Sequence, residues 1–446
     1  MRFLHTSDWH LGRSFHGASL LEEQAAALAR IVEIAREGEV DAVLIAGDIY
    51  DRAIPPAEAV QLFTDTLAQL RDTGAAVVAI AGNHDSHVRV SVYDPLLSTL
   101  GVSIRGDVRR AQRPVIVAPK RQGPPVALYP VPYLDPAVDG LALGGEEGDQ
   151  PGLGGELPGA SDSGRLRHED VTRLALARIR RDLRTRPGHR SLVVAHTFVA
   201  GGLPCESERE LTVGHVDRVS VAAFAGFDAV ALGHLHRPQE LDGPRLAYCG
   251  SPLPYSFSEE GQCKCVRLVE LGSGGSPTAE RVPLAVGRPL ATIEGGIEQL
   301  LVDSALEGAV GARVRVILTD EALPLQAKAR LQRRFPHIAE LRHRPPQAER
   351  FSPSERHQRV RQATSPLDLL TAFFADQQGR PANAIELRLL RRALEAAGGG
   401  RDTVGECADH GKDPISAKTK GGRARLRDTS ADGGDSSDDN APGEAP

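Results

Sequence analysis

Five short apolar runs, Arg2–Thr6, Asp41–Ala46, Ala75–Ala81, Ser191–Ala195 and Asp228–Leu232, each stop abruptly at a polar cluster. None alternates apolar with polar, so each reads as a strand buried on both faces rather than one with a wet side. Between the first three lie Leu20–Arg36 and Glu58–Arg71, with apolar residues at helical spacing, the second preceded by Pro55-Pro56. Strands alternating with helices predict an α/β layer architecture.

The chain has 446 residues, enough for two or three domains, and 41% are hydrophobic, which rules out a disordered or collagen-like protein. With 53 basic and 59 acidic residues the formal charge is −6, so any nucleic acid would have to be met by a local basic groove. No run approaches the roughly 18 apolar residues of a membrane span, and MRFLHTSDWHLG lacks the basic-then-apolar order of a secretion signal. Five scattered cysteines do not make a disulfide framework, and a reducing cytoplasm is the expected location, with no membrane partner. Cys263 and Cys265 would share one face of a strand, but no second Cys/His pair follows to complete a zinc site.

Farther along, Asp139–Gly164 is dominated by Gly, Pro and acids and reads as a solvated loop, and His168–Asp182 as an Arg-rich helix. Strands are expected at Arg245–Cys249 and Lys264–Leu271, and a break at Gly272–Pro277. These features give a first domain over residues 1–275. Residues 286–346, with strand-like RVRVIL at 313–318 and a helical run Pro324–Phe335, suggest a small α+β domain. A Pro/Arg-rich linker near 344–356 leads to two amphipathic segments in 365–397 around a Gly/Pro turn, a helical hairpin with an apolar face suited to docking a partner. From 398 to 446 the chain is Gly, Ser and charge and is expected to be disordered.

The polar clusters carry the chemistry. SDWH (Ser7–His10), GDIYD (Gly47–Asp51), GNHD (Gly82–Asp85), AHT (Ala195–Thr197) and GHLH (Gly233–His236) each contribute metal-ligand types at a strand end. The functional rim of an open α/β sheet lies beyond the carboxyl ends of its strands, so Asp8, His10, Asp48, Asn83, His196, His234 and His236 should converge there. Seven N and O donors exceed one tetrahedral zinc but suit two adjacent divalent cations. Imidazole, carboxylate and amide without thiolate favour manganese, iron or zinc over magnesium or calcium. Burying so many polar groups without compensation would cost several kcal/mol, roughly, and cations are the evident compensation. For His5, His16, His87 and His215 an ordinary packed or surface role is expected.

Asp8, His10, GDxxD, GNHD, His196 and GHLH, in this order, resemble the signature of the calcineurin-like metallophosphoesterase superfamily. YCGSPLPYSFSE (Tyr248–Glu259), the small domain and the terminal helical pair resemble that superfamily's bacterial DNA-exonuclease subunits. The likeness covers about residues 1–397. It implies a metallophosphoesterase β-sandwich flanked by helices, a small α+β capping domain at 286–346 that guides DNA, and a hairpin that docks on an ABC-type ATPase. It also implies a homodimer within a heterotetramer, built through Glu58–Arg71 and residues near Val92–Leu100. One cation, most often manganese, would be held by Asp8, His10, Asp48 and His236, the other by Asp48, Asn83, His196 and His234, with Asp48 bridging. His84 would stabilise or protonate the leaving oxygen, and Asp51 would orient His84. The implied activity is single-strand endonuclease and 3′ to 5′ duplex exonuclease. No G-x-x-x-x-G-K-[ST] loop occurs, so ATP would belong to the partner.

Lesser candidates are Arg52, His16, Arg89 and Arg237 for DNA phosphates, Ser251 and Tyr255 near the metal rim, and Trp9 as packing between two ligands. Cys249 stands where many relatives have serine. Two rival readings remain at this point: a superfamily enzyme acting on a small phosphoester, and a DNA-end tethering protein whose metals are structural.

Overall fold

A computed structural model describes residues 1–144, 166–208, 218–346, 363, 365–378 and 380–396. The segments 145–164, 347–356 and 398–446, and His215, therefore lie outside the described residues. The chain divides into two compact units, Met1–Arg350 with Asp376–Arg380, and Phe351–Ala375 with Pro381–Pro446.

The first unit is a four-layer sandwich with a smaller sheet packed against it. In chain order it contains β1 (Arg2–Thr6), a hairpin of β2 (Ser14–Phe15) and β3 (Ala18–Ser19), α1 (Leu21–Glu37), β4 (Ala42–Ile45), α2 (Ala57–Arg71) and β5 (Ala76–Ile80). Then come the short α3 (His87–Ser91) and α4 (Asp94–Leu97), β6 (Val102–Arg105), β7 (Val115–Val117), β8 (Val126–Val131), α5 (Pro136–Gly144), α6 (His168–Arg184) and β9 (Arg190–His196). The sandwich ends with β10 (Ala229–Gly233), β11 (Gln239–Asp242), β12 (Leu246–Tyr248), β13 (Cys265–Glu270) and β14 (Thr278–Pro283). One sheet has the order β14-β13-β1-β4-β5-β6 and the other β11-β12-β10-β9-β8-β7.

Side-chain alternation builds the layers. In β1 and β4, Phe3, Ala42 and Leu44 face the second sheet, meeting Leu128, Leu192, Val194 and Ala231. Their neighbours Leu4, Val43 and Ile45 face α1 and α2, packing on Leu28, Ile31 and Phe63. Val193, Val230 and Leu232 of the second sheet face α6 through Ala175, Leu176 and Ile179. Both faces of every central strand are thus dry, which is why the runs carry no alternation.

The single rim expected from five strands is made by two sheets. β1, β4 and β5 run parallel in one, β9 and β10 in the other, and their carboxyl ends meet at the same end of the sandwich. Two local expectations are corrected. Gly272–Pro277 is not a break between domains but the turn joining β13 to β14, which pair antiparallel from Cys265↔Pro283 to Glu270↔Thr278. Asp139–Gly144 is not loop but the end of α5, whose Leu143 is buried in the core beside α6.

Residues from 290 onward form a separate three-stranded parallel sheet, β15 (Leu290–Gly295), β16 (Arg313–Leu318) and β17 (Ile338–His343), with α7 (Ile297–Val302) and α8 (Ala327–Gln332) on their own core. It is seated on the sandwich by Leu290 against Leu253, Tyr255 and Phe257 and by a two-pronged ion pair of Arg313 with Glu23, 2.6 and 2.9 Å. Farther along, helix Pro366–Gln378, which lies in the second unit as far as Ala375, and helix Ala384–Ala396 leave Leu369, Phe373, Ile385 and Leu389 exposed. Among the described residues no helix is long and apolar enough to cross a membrane.

Candidate metal centre

The loops after β1 and β4 pair with each other, Asp8 N–H donating to Gly47 O and His10 N–H to Asp48 O, both at 3.0 Å. Asp8, His10 and Asp48 in this pairing all have positive φ, 53°, 45° and 49°, as does His234 after β10, at 110°, whose N–H donates to the Asp8 carboxylate. Left-handed backbone at non-glycine residues costs of order 1–3 kcal/mol each and persists where surrounding structure over-determines it. Glycine is required where loops touch. A Cβ on Gly82 would fall 2.1 Å from Asp48 Oδ1, and one on Gly233 would fall 1.8 Å from Ala46 O.

All seven expected donors come together. Ligand atoms of Asp8, His10 and His236 lie within 4.8 Å of one another, and so do those of Asp8, Asp48 and His196. Asp48 sits centrally: its Oδ1 accepts the His84 N–H at 2.9 Å, and its Oδ2 is 3.5 Å from both His10 Nε2 and His196 Nε2. Asn83 Oδ1 is 2.9 Å from His196 Nε2 and 3.3 Å from His234 Nδ1. Asp8 is close to both groups, fixed by Ser7 Oγ at 2.5 Å and by the His234 N–H at 2.9 Å.

The donor chemistry fits cations. His196 Nδ1 donates to Ala46 O at 2.8 Å, so its Nε2 points at two acceptor oxygens, of Asn83 and Asp48, and something positive must lie between. Without a metal that is a proton: burial opposes it, but the Asp48 and Asp8 carboxylates lift His196 to about 9. Burial likewise pushes Asp8 up to about 7. Burial holds His234 down at about 3, and His10 and His236 well below the usual imidazole range, so all three are neutral and ligand-ready. His10 Nε2 and His236 Nε2 face each other at 3.1 Å, about the edge expected between two nitrogens each about 2 Å from one metal. His10 Nδ1 and Asn83 Nδ2 have no hydrogen-bond partner.

His84 lies on the same rim, its ring 4.7 Å from that of His10, with Nδ1 bonded to the main-chain oxygen of Asp51 at 2.9 Å. The Asp51 carboxylate, expected to orient His84, instead faces His10 Nδ1 at 3.7 Å and Arg13 at 3.5 Å. The orienting group is thus Asp51's carbonyl, which any residue could supply. Of the ordinary histidines, His5 is buried against Leu232 O, His87 meets Gly106 O, and His16 packs edge-on against Phe15 and tilted against Phe257. Arg52 and Arg89 are exposed and Arg237 half-buried, all three outside the donor cluster. Trp9 is fully buried, donating to Thr6 Oγ1. Ser251 is fully buried behind the site, and Tyr255 Oη donates to Trp9 O. Cys249 touches Ser7 Oγ at 3.0 Å.

Several supporting residues escaped sequence reasoning. Gln24 of α1 donates to Trp9 O and His10 O and accepts from the Gly12 N–H, pinning the first loop. Asp85 accepts from the N–H groups of Ile49, Tyr50 and Gly82, tying the GDIYD loop to the GNHD loop. Their targets are main-chain groups, which leave no trace in residue type; the one available signal was the single acid that closes GNHD, Asp85. Arg13, held by Ser207 O and stacked 4.9 Å over Tyr255, is a cation at the same rim.

A two-sheet α/β sandwich with clustered imidazoles, carboxylates and an amide at the carboxyl ends of its parallel strands is the architecture of a metallophosphoesterase. The calcineurin-like phosphoesterase model matches residues 1–238, and the Type 5 capsule protein repressor C-terminal domain matches residues 286–378. The SbcD component of the SbcCD nuclease of Bacillus subtilis is 36% identical over 65% of this chain and 71% of its own length. The SbcD protein of Escherichia coli K12 is 31% identical over 67% and 72%, and that of Rhodobacter capsulatus 36% over 64% and 69%. The chain belongs to the calcineurin-like phosphoesterase family and, within it, to the SbcD family of SbcCD nucleases.

Proposed function

We propose that the chain is a metal-dependent DNA nuclease, the hydrolytic component of an SbcCD-type complex, with two divalent cations, most often Mn2+, at this rim. The observation that carries the reading is the gathering of Asp8, His10, Asp48, Asn83, His196, His234 and His236 from two sheets around a central carboxylate. Asp8, His10, Asp48 and His236 would hold one cation and Asp48, Asn83, His196 and His234 the other. Bound cations supply positive charge that polarises the phosphodiester and stabilises attacking and leaving oxygens in an in-line displacement.

The chain's own groups do the rest. Asp51's carbonyl accepts a hydrogen bond from the His84 Nδ1–H, which turns Nε2 toward the rim, where it can hold or pass a proton to the leaving oxygen. Asp51's carboxylate and Tyr255 hold Arg13 beside the site, where its free N–H groups can meet a phosphate. Single-strand endonuclease and 3′ to 5′ duplex exonuclease action, and the DNA-guiding role of residues 286–346, belong to this proposal. So does docking of the exposed helical pair on an SbcC-like ATPase. Homodimerisation is assigned to the apolar groove of Tyr50, Val60, Phe63, Leu67, Tyr93 and Leu97.

The test is cleavage of end-labelled single-stranded and duplex DNA by the purified chain with added Mn2+, beside Asp48→Ala and a small chromogenic phosphodiester. Degradation of DNA by the wild type alone supports the reading. Hydrolysis of the small ester only, even with the ATPase present, would replace it with a small-substrate phosphoesterase.

A further inference from the structure

Behind His236, on the side away from the donor cluster, a buried chain of hydrogen bonds runs into the protein. His236 Nδ1 is 2.7 Å from Ser207 Oγ, and that hydroxyl is 2.6 Å from Glu259 Oε1. The other oxygen of Glu259 pairs with the ammonium of Lys264, which also donates to His236 O at 2.8 Å and Ser251 Oγ at 3.1 Å. Glu259 is 1% exposed, and Ser207 and Lys264 8% each, so water does not complete this network. The main chain of His236 is clamped separately, its N–H donating to Glu208 Oε1 at 2.7 Å.

The direction of every bond follows from its ends. Lys264 can only donate, and the Tyr255 N–H donates to Glu259 Oε1 at 3.0 Å, so Glu259 is surrounded by donors and accepts throughout. Ser207 has one proton and spends it on Glu259. Its oxygen must then accept from His236, which puts the imidazole proton on Nδ1 and leaves Nε2 bare. Nε2 is the atom that faces His10 at 3.1 Å.

We propose that Ser207 and Glu259, anchored by Lys264, are positioning residues that lock His236 in its Nδ1–H tautomer and present the Nε2 lone pair to the cation site; this rests on the two-metal reading above. Imidazole ligands commonly donate their second N–H to an outer partner, and losing that partner typically costs about 10–100-fold in metal affinity. Here the partner is a serine backed by a carboxylate about fifty residues away in sequence, and it serves one of the four histidines.

The experiment is calorimetric titration of the metal-free full chain with Mn2+ for wild type, Ser207→Ala and Ser207→Thr, alongside nitrogen-15 NMR of the histidine rings, with His236→Gln to assign the signal. The expected result is two bound Mn2+ per chain, about 10–100-fold weaker binding of one of them in Ser207→Ala with the other unchanged, recovery in Ser207→Thr, and a neutral Nδ1–H signal for His236. A role confined to packing would lower the metal-free melting temperature of Ser207→Ala and weaken both cations alike, which overturns the relay. So does unchanged Mn2+ affinity in a folded Ser207→Ala, or an Nε2–H tautomer. If the wild type takes up no Mn2+, the metal reading fails instead, and the tautomer still decides whether Ser207 orients His236.

Discussion

Replacing Asp85 by alanine tests whether the loops that carry Asp48 and Asn83 are tied by one carboxylate. Asp85 is 6% exposed, and its oxygens accept from Ile49 N at 3.0 Å, Tyr50 N at 2.9 Å and Gly82 N at 2.9 Å. Removing it strands three buried N–H groups, each worth about 1–3 kcal/mol when unsatisfied. Part is returned, because the carboxylate is itself disfavoured: burial and the nearby Asp48 charge push Asp85 up to about 6. A net loss of about 3 kcal/mol follows, a large share of a typical domain's roughly 5–15 kcal/mol. Asp85→Asn, which keeps one acceptor oxygen and drops the charge, should lose about half as much. The readout is already in the chain, since its single tryptophan, Trp9, is fully buried between two donors and packs on Phe63. Urea unfolding of the metal-free protein followed by Trp9 fluorescence should shift to lower urea in the order wild type, Asp85→Asn, Asp85→Ala, and Mn2+ affinity should fall in parallel. An Asp85→Ala midpoint and Mn2+ affinity both equal to wild type would refute the reasoning.

Gly82→Ala places a methyl 2.1 Å from Asp48 Oδ1, and Mn2+ titration should show binding weakened by about 100-fold or more in a chain whose circular dichroism is native. His84→Ala should keep Mn2+ and DNA binding while cleavage falls about 10²–10⁴-fold in a single-turnover assay; equal loss of binding would make His84 a ligand instead. The raised pKa of His196, about 9 against an ordinary 6.5, contributes stability that is full below pH 6.5 and lost as pH rises through 9; Asp8, raised to about 7, acts in the same direction. Differential scanning fluorimetry should therefore show the metal-free melting temperature falling between about pH 6.5 and 8.5 and the Mn2+-saturated one holding, because the cation replaces those protons; parallel curves would contradict this. Phe373→Glu with Leu389→Glu, both exposed, should abolish co-elution with an SbcC-like ATPase and leave Mn2+-dependent oligonucleotide cleavage by the free chain intact.

What was legible in the sequence, and what was not, divides along a physical line. The strands that carry donors were readable because a strand dry on both faces is a continuous apolar run, and a donor cluster must interrupt it at the rim. Ala42–Ile45 and Ala229–Gly233 show both halves of that rule. β6, β7 and β8 carry no donors, and Pro130 breaks the last of them to the eye, so nothing marked them, although they complete the two sheets. Partition into two sheets was hidden as well, since a run such as LVVAH states its own burial but not its neighbour; that information is in register, β9 pairing β8 on one side and β10 on the other. The Gly/Ser turn at Gly272–Pro277 has the same composition whether it ends a domain or closes a hairpin, and only the pairing of Cys265–Glu270 with Thr278–Pro283 decides. The supports of the site were the least visible, for a related reason. A ligand is constrained by its own chemistry, so Asp, His and Asn announce themselves, whereas Gln24, Asp85 and Ser207 are constrained by the main-chain group or ring atom they touch, a condition no local pattern encodes. Substitutions at such positions should therefore change metal affinity and pH response while leaving every motif of the sequence intact.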